Sequence, residues 1–234
     1  MTGERGKRLL LIGHGRMGRL VESLAPEYGF RIAGAVTGAN AASAEWPEAD
    51  IAIDFSVGVA VPATVARLAA QRTSIVIGTT GWQGDEREVR RIASTAEIGV
   101  VAAPNFAVGV NVFLAAIERL GALMAGHPSF GAWIHEHHHS TKRDSPSGTA
   151  IAMERRLRDT GYIGDVPIAS TRAGNVPGTH TLGFDSASET ITITHQARDR
   201  AAFARGALVA ARWLDDRVGW FTMSDVLGLQ GGDA

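Results

Sequence analysis

The sequence has no cysteine among its 234 residues, which excludes disulfides and removes the thiolates that zinc centres commonly use. It has no apolar run approaching the roughly eighteen residues of a membrane-spanning helix, and the polar stretch Met1 to Lys7 leads straight into an apolar strand. Neither a membrane span nor a signal peptide is therefore expected, and with the missing cysteines these absences predict a cytoplasmic protein. Nor does one sign of charge prevail. The 23 basic and 24 acidic residues are interspersed and leave a formal net charge of -1, so no long-range attraction to nucleic acid is expected. No internal repeat or low-complexity stretch appears. What remains, 45% hydrophobic and 20% charged residues, suffices for a full core in one large domain or two small ones.

The run Arg8-Leu-Leu-Leu-Ile12 has the continuous apolar pattern of a strand buried on both faces, and it leads into Gly13-His14-Gly15-Arg16-Met17-Gly18. Met17, Val21 and Leu24 then recur at helical spacing as far as Pro26 and Gly29. A GxGxxG set between a strand and a helix is a dinucleotide-binding fingerprint: its glycines permit a tight turn and close approach of a pyrophosphate, which the helix N-terminus attracts. Two usual features are missing. The strand Arg31 to Val36 ends in Thr37-Gly38, with neither the acid that favours NAD nor an arginine that favours NADP. The stretch between Val36 and the next strand, Asp50 to Ser56, is too short for a normal crossover helix. Val57 to Ala70 predicts a helix, Ser74 to Gly81 a strand ending in small hydroxyl residues, Asp85 to Thr95 a charged surface helix, and Gly99 to Phe106 a strand ending in a polar turn. This alternation predicts a doubly wound sheet with its ligand at the carboxyl ends of the strands, and a helix over Asn111 to Ala125 leads out of it.

Beyond that helix, period-two alternation in Trp133 to His137, His180 to Phe184 and Glu189 to His195 predicts strands with one face on a core and the other free for helices or a partner chain. A turn-rich segment precedes the second of these, and Arg200 to Trp213 returns to helical spacing. The densest chemistry lies here. Residues 135–139 hold four of the eight histidines, Lys142 and Arg143 follow, and Pro146-Ser147-Gly148-Thr149 opens a helix that runs to Gly161. Asp144 or Ser145 can cap this helix, and Pro146 suits its first turn. The N–H groups of Ser147, Gly148 and Thr149 are then left to receive a carboxylate or phosphate, with imidazoles nearby as proton donors. A metal is the less favoured reading, because consecutive histidines on a strand alternate faces.

These motifs together resemble the dihydrodipicolinate reductase (4-hydroxy-tetrahydrodipicolinate reductase) family of bacterial lysine biosynthesis. The resemblance spans essentially the whole chain. It rests on Gly15-Arg-Met-Gly18, Ile53-Asp-Phe-Ser56, Val76-Ile-Gly-Thr-Thr-Gly81, Pro104 to Asn111, His138-His139 with Lys142, Asp144 to Ala150, Arg172-Ala-Gly and Ile193-Thr-His195. It implies an α/β fold: a Rossmann-like nucleotide-binding domain of residues 1–107 and 201–234, and an α+β substrate-binding and oligomerisation domain of residues 108–200, whose mixed sheet builds a homotetramer. The reaction implied is hydride transfer from NADH or NADPH to an unsaturated ring carbon of a cyclic dicarboxylate, completed by protonation and loss of water. Carried onto matching positions, the nucleotide is held by Gly13, His14, Gly15, Arg16, Met17, Gly18, Thr37, Gly78, Thr79, Thr80, Ala103, Pro104, Asn105 and Phe106. His138 and Lys142 take the catalytic positions, and His139, Ser147, Gly148 and Thr149 the substrate-carboxylate positions, with Arg200 a further contributor. No metal is expected. The sequence departs from the family in its shortened second crossover and in Thr37-Gly38, which stand where an acid and a base are usual, so either nucleotide is expected to serve. His135 and His137 are additional to the usual pair and read as solvated or structural. The competing readings are a nucleotide-sensing regulator without turnover, against which the intact His138-to-Thr149 set argues, and a metal hydrolase, which would not need Gly13 to Gly18.

Overall fold

The computed structural model describes residues 6–42 and 45–229. The chain runs β1 (Lys7–Ile12), α1 (Arg16–Leu24), β2 (Phe30–Val36), β3 (Ile51–Asp54), α2 (Val61–Ala70), β4 (Ser74–Ile77), α3 (Glu86–Thr95) and β5 (Gly99–Ala102). It continues through α4 (Val108–Met124), β6 (Gly131–His138), α5 (Gly148–Asp159), β7 (Ile168–Arg172), β8 (Thr179–Asp185) and β9 (Thr190–Gln196), and ends with α6 (Ala201–Leu214), β10 (Gly219–Phe221) and α7 (Met223–Leu227). Two compact units result, Met1–Val108 with Phe203–Ala234, and Gly109–Ala202. No helix among the described residues is long and apolar enough to cross a membrane.

The first unit is a six-stranded parallel sheet in the order β10-β5-β4-β3-β1-β2. The continuous apolar runs are explained by its two cores. Leu9 and Leu11 join Val21, Leu208 and Leu214 on the face covered by α1 and α6, while Leu10 and Ile12 join Val65, Leu68 and Val89 on the face covered by α2 and α3. Each leucine so buried contributes about 1.5–3 kcal/mol by leaving water. The chain passes from β1 to β2 on one side and to β3 on the other, so the sheet reverses its winding at β1. At such a point the loops after adjacent strands diverge and leave a crevice at the carboxyl edge. Between β2 and β3 the described residues form turns and extended chain, with no helix, as the short spacing predicts.

The second unit is a mixed sheet in the order β7-β6-β8-β9, in which β6 pairs parallel with β7 and antiparallel with β8. Its core gathers Phe113 and Ile117 of α4, Ile134, Met153 and Leu157 of α5, and Leu182 and Phe184. Four elements differ from the expectations. β7 occupies the segment read as turns: its sequence, Ile-Ala-Ser-Thr-Arg, lacks an apolar alternation because an edge strand here buries little. β10 and α7 form where no element was assigned. Finally, α5 is capped by Ser147, not by Asp144 or Ser145, and Pro146 precedes its first turn instead of lying within it.

Candidate active site

In the first unit, Gly13, Thr37, Gly78 and Ala103 directly follow β1, β2, β4 and β5, so parallel pairing brings them to one edge of the sheet. The three loop glycines serve different ends. Gly13 has φ +87°, and a Cβ on it would stand 2.4 Å from the Phe55 carbonyl oxygen; a Cβ on Gly18 would stand 2.2 Å from that of Gly13. A Cβ on Gly15 would meet nothing of the protein within 4 Å. Packing therefore demands the outer two glycines, and the middle one keeps space clear for a ligand. Gly15 is also the N-cap of α1 and supplies no side-chain cap, and the first turn carries no acid, so the helix terminus suits a pyrophosphate.

Other expected nucleotide contacts are occupied by the protein. The His14 ring bonds Glu22 at 2.7 Å, the Thr79 hydroxyl donates to Asp54 at 2.8 Å, and Phe106 is buried in the core, edge-on to Phe55. Thr79 is held on its backbone as well, its N–H donating to the Asp54 carbonyl at 3.1 Å and its carbonyl accepting from Trp82 Nε1 at 2.7 Å. Asp54, given no role from the sequence, is fully buried at the end of β3, and burial pushes its carboxyl up from the usual value. It braces β3 to β4 through Ser56 N–H and Thr79. Thr80 and Arg16 are exposed, and Met17 and Asn105 half-buried.

In the second unit, the period of two on β6 sorts the histidine run. Glu136 and His138 point into the core, whereas His135 and His137 lie on the other face, His135 bonding Thr171 at 2.9 Å. Glu136 is fully buried. One of its oxygens bonds His138 Nδ1; the other accepts from Arg172 Nη2 at 2.6 Å and from the Ser147 N–H at 3.3 Å. Burial alone would raise the Glu136 carboxyl, but hydrogen bonds from Arg172, Ser170 and His138 outweigh it and hold the group down at about 2. Burial lowers His138, with Lys142 and Arg172 acting in the same sense and Glu136 opposing. From β8, His180 lies edge-on to His138 with ring centroids 5.0 Å apart, and its Nε2 is 3.1 Å from Ser147 Oγ.

The Ser147 N–H, expected free, is thus held by Glu136, and that of Ala150 by the Ser147 hydroxyl at 3.3 Å. Those of Gly148 and Thr149 have no partner among the described residues and remain to receive an anion. Lys142 Nζ pairs with Asp144 at 2.7 Å, and the Asp144 carbonyl oxygen accepts from Arg172 at 2.7 Å, which ties the lysine loop to the same cluster. His139 bonds Thr141 at 2.7 Å. Arg200 is exposed and bonds none of these residues. Glu136, Arg172 and His180 were not singled out from the sequence as site residues. The i, i+2 spacing of Glu136 and His138 on a strand is the one signal that could have paired the first of them with the site.

Glu136, His138 and His180 present possible ligand atoms within 4.8 Å of one another. The objection that histidines of one strand alternate faces does not apply to this set, since β8 supplies the third member. A cation there would, however, have to displace the Glu136–His138 hydrogen bond and sit beside the Arg172 guanidinium.

A family profile described as "Dihydrodipicolinate reductase, N-terminus" matches residues 7–106, and one described as "Dihydrodipicolinate reductase, C-terminus" matches residues 109–227. The latter includes α6, β10 and α7, which from Phe203 onward fold with the first unit. The 4-hydroxy-tetrahydrodipicolinate reductase of Christiangramia forsetii is 37% identical over 232 residues, covering 94% of this chain and 97% of its own. That of Acidiphilium cryptum is 39% identical over 238 residues, covering 92% and 94%. Among solved structures, a dipicolinate-bound dihydrodipicolinate reductase from Paenisporosarcina sp. TG-14 shares the fold with a TM-score of 0.73 at 19% identity, over 93% of this chain and 97% of its own. With both halves matched and relatives alike from end to end, the chain belongs to the dihydrodipicolinate reductase family and is an NAD(P)H-dependent oxidoreductase of lysine and diaminopimelate biosynthesis.

Proposed function

We propose that His138 and Lys142 move the proton that accompanies reduction of 4-hydroxy-tetrahydrodipicolinate, while His139, Ser147, Gly148 and Thr149 receive a carboxylate of this cyclic dicarboxylate. The observation that carries this reading is the start of α5: the partnerless N–H groups of Gly148 and Thr149 follow Ser147, whose own N–H shares the Glu136 carboxylate with His138. One group thereby links the anion receiver to the proton carrier. The bound dihydronicotinamide nucleotide supplies the hydride. The chain would hold it through the clear space at Gly15, the N–H groups opening α1, and the loops that follow β4 at Gly78-Thr79-Thr80 and β5 at Ala103 to Phe106. Arg200 is exposed and bonds none of the cluster's residues, so this assignment does not rest on it. Lys142→Ala and His138→Ala are each expected to bind nucleotide normally and to lose turnover by about a hundredfold or more, the scale of a lost general acid. Near-wild-type turnover in both variants would remove the assignment.

The assembly we infer is a homotetramer working in the cytoplasm. Support comes from β9, an edge strand whose Thr190, Thr192 and Thr194 are exposed on the side away from the core while Ile193 packs against it. The mass in solution tests this, and a monomer at micromolar concentration would sink it.

A further inference from the structure

The Glu136 carboxylate fixes where the proton sits on His138. Ionised and acceptor-only, it takes bonds from Arg172 and from the Ser147 N–H on one oxygen, so the ring nitrogen facing its other oxygen must be an N–H. That nitrogen is Nδ1. In the neutral ring the lone pair is then on Nε2, and every proton that His138 gains or gives passes there. The other nitrogen has room: Nε2 lies against Gly178, where a Cβ would come within 3.0 Å. The charged and titratable groups facing His138 are Glu136 on its own strand, Arg172 from β7, His180 from β8, and Lys142, paired with Asp144, from the loop before α5. Of these, Glu136 alone stabilises the imidazolium.

We propose that Glu136 is a positioning residue for the reduction, keeping His138 protonated at Nδ1 so that Nε2 alone takes up and delivers the proton, and tying that orientation to Ser147 at the start of α5. The proposal rests on the reading of His138 as the proton carrier. The proton arrives on the Nε2 lone pair from solvent and leaves from Nε2–H to the substrate, while the Nδ1 proton stays with Glu136 throughout. Because Glu136 opposes the burial that lowers His138, its loss makes the imidazolium scarcer at any given pH.

The test is Glu136→Gln in the full chain, assayed beside His138→Ala for kcat, KM and direct NADPH binding across pH. The expected result is a fall in kcat of about a hundredfold, NADPH affinity unchanged, and the alkaline limb of the kcat profile displaced to lower pH. Glu136→Asp, which keeps the charge, is expected to restore part of kcat and return the limb towards its wild-type position. Wild-type kcat and an unmoved limb in Glu136→Gln, with His138→Ala impaired, overturn the role of Glu136 and leave that of His138 standing. Wild-type turnover in His138→Ala overturns both. Should Glu136→Gln fail to fold, the 15N side-chain spectrum of the wild-type protein decides instead: Nδ1 of His138 must give the signal of a protonated nitrogen at neutral pH and Nε2 that of a bare one. The opposite tautomer overturns the proposal.

Discussion

Ser147 Oγ lies 3.1 Å from His180 Nε2 and 3.3 Å from the backbone nitrogen of Ala150. Ala150 can only donate. His180 Nδ1 is buried with no partner among the described residues, and a buried N–H without an acceptor is costlier than a buried lone pair without a donor. The single proton of the neutral ring therefore belongs on Nε2, where it is given to Ser147. With two bonds accepted, the serine hydroxyl is free to donate outward to a carboxylate. His180→Phe keeps an aromatic edge beside His138 and removes this arrangement. Substrate KM is expected to rise about threefold to tenfold, the worth of one neutral hydrogen bond, with nucleotide affinity unchanged. Thermal stability should hold, since the substitution also removes the partnerless Nδ1. An unchanged KM would dispose of the tautomer argument.

The same histidine makes stability depend on pH. Burial lowers His180 to about 4 from 6.5, so between those values the unfolded chain binds a proton that the folded chain refuses. Its contribution is complete above the upper value and is lost as pH falls to the lower one. A gap of that size corresponds to about 3 kcal/mol. His138 and His195, both lowered by burial, act in the same direction. Glu136 opens a second window below, because its stabilising charge is lost between 4.5 and about 2. Thermal unfolding across buffers should show a level Tm above neutrality and a steady fall on acidification, with a shallower upper part in His180→Phe. A Tm that rises on moderate acidification would contradict the burial of these rings in neutral form.

The glycine loop offers a sharper separation of fold from binding. Gly15 has φ −77°, open to any residue, and free space where its side chain would grow, whereas a methyl on Gly18 would strike the Gly13 carbonyl. Gly15→Ala should fold with wild-type Tm and bind NADPH about tenfold or more weakly, since its methyl would enter the space proposed for the pyrophosphate. Gly18→Ala should lose stability whether or not nucleotide is present. Equal nucleotide affinity in Gly15→Ala and the wild type would mean that the phosphates do not approach this turn.

The difference between these two halves explains what could be read in advance. The nucleotide edge is local: one apolar run, one glycine turn and one helix carry it, and each leaves a pattern within a few residues. The cluster around Glu136 is not. His180 reaches it because the β6–β8 register sets it opposite Glu136, and Arg172 because a parallel crossover lays Ser170 beside Glu136 on the other side. Neither register is written in periodicity. The cap of α5 was ambiguous for a related reason, since Asp144, Ser145 and Ser147 are all good capping residues, and Ser147 is the one whose N–H is held from outside by Glu136.

In dinucleotide-binding folds of this kind the ribose is read at the end of β2. There the Thr37 N–H bonds the Asn40 side chain at 2.6 Å, and Asn40 in turn bonds the Ala35 carbonyl at 3.0 Å, so a neutral turn stands where a carboxylate or guanidinium would read the ribose. Nothing in it repels a 2′-phosphate, and nothing in it pairs with one. Arg67 is engaged with the Trp46 ring and the Ala41 carbonyl. Arg16, exposed in the glycine loop, makes no ion pair among the described residues, so its side chain is free to swing towards the ribose. A charge-assisted bond is worth about 1.5–3 kcal/mol when buried, and less for an exposed and mobile arginine. Specificity constants for NADH and NADPH are therefore expected to agree within about tenfold, or 1.4 kcal/mol. Arg16→Ala should lower the constant for NADPH by about threefold to tenfold and leave that for NADH unchanged. A wild-type preference beyond about a hundredfold, or an equal loss for both nucleotides in Arg16→Ala, would show that another group reads the 2′ position.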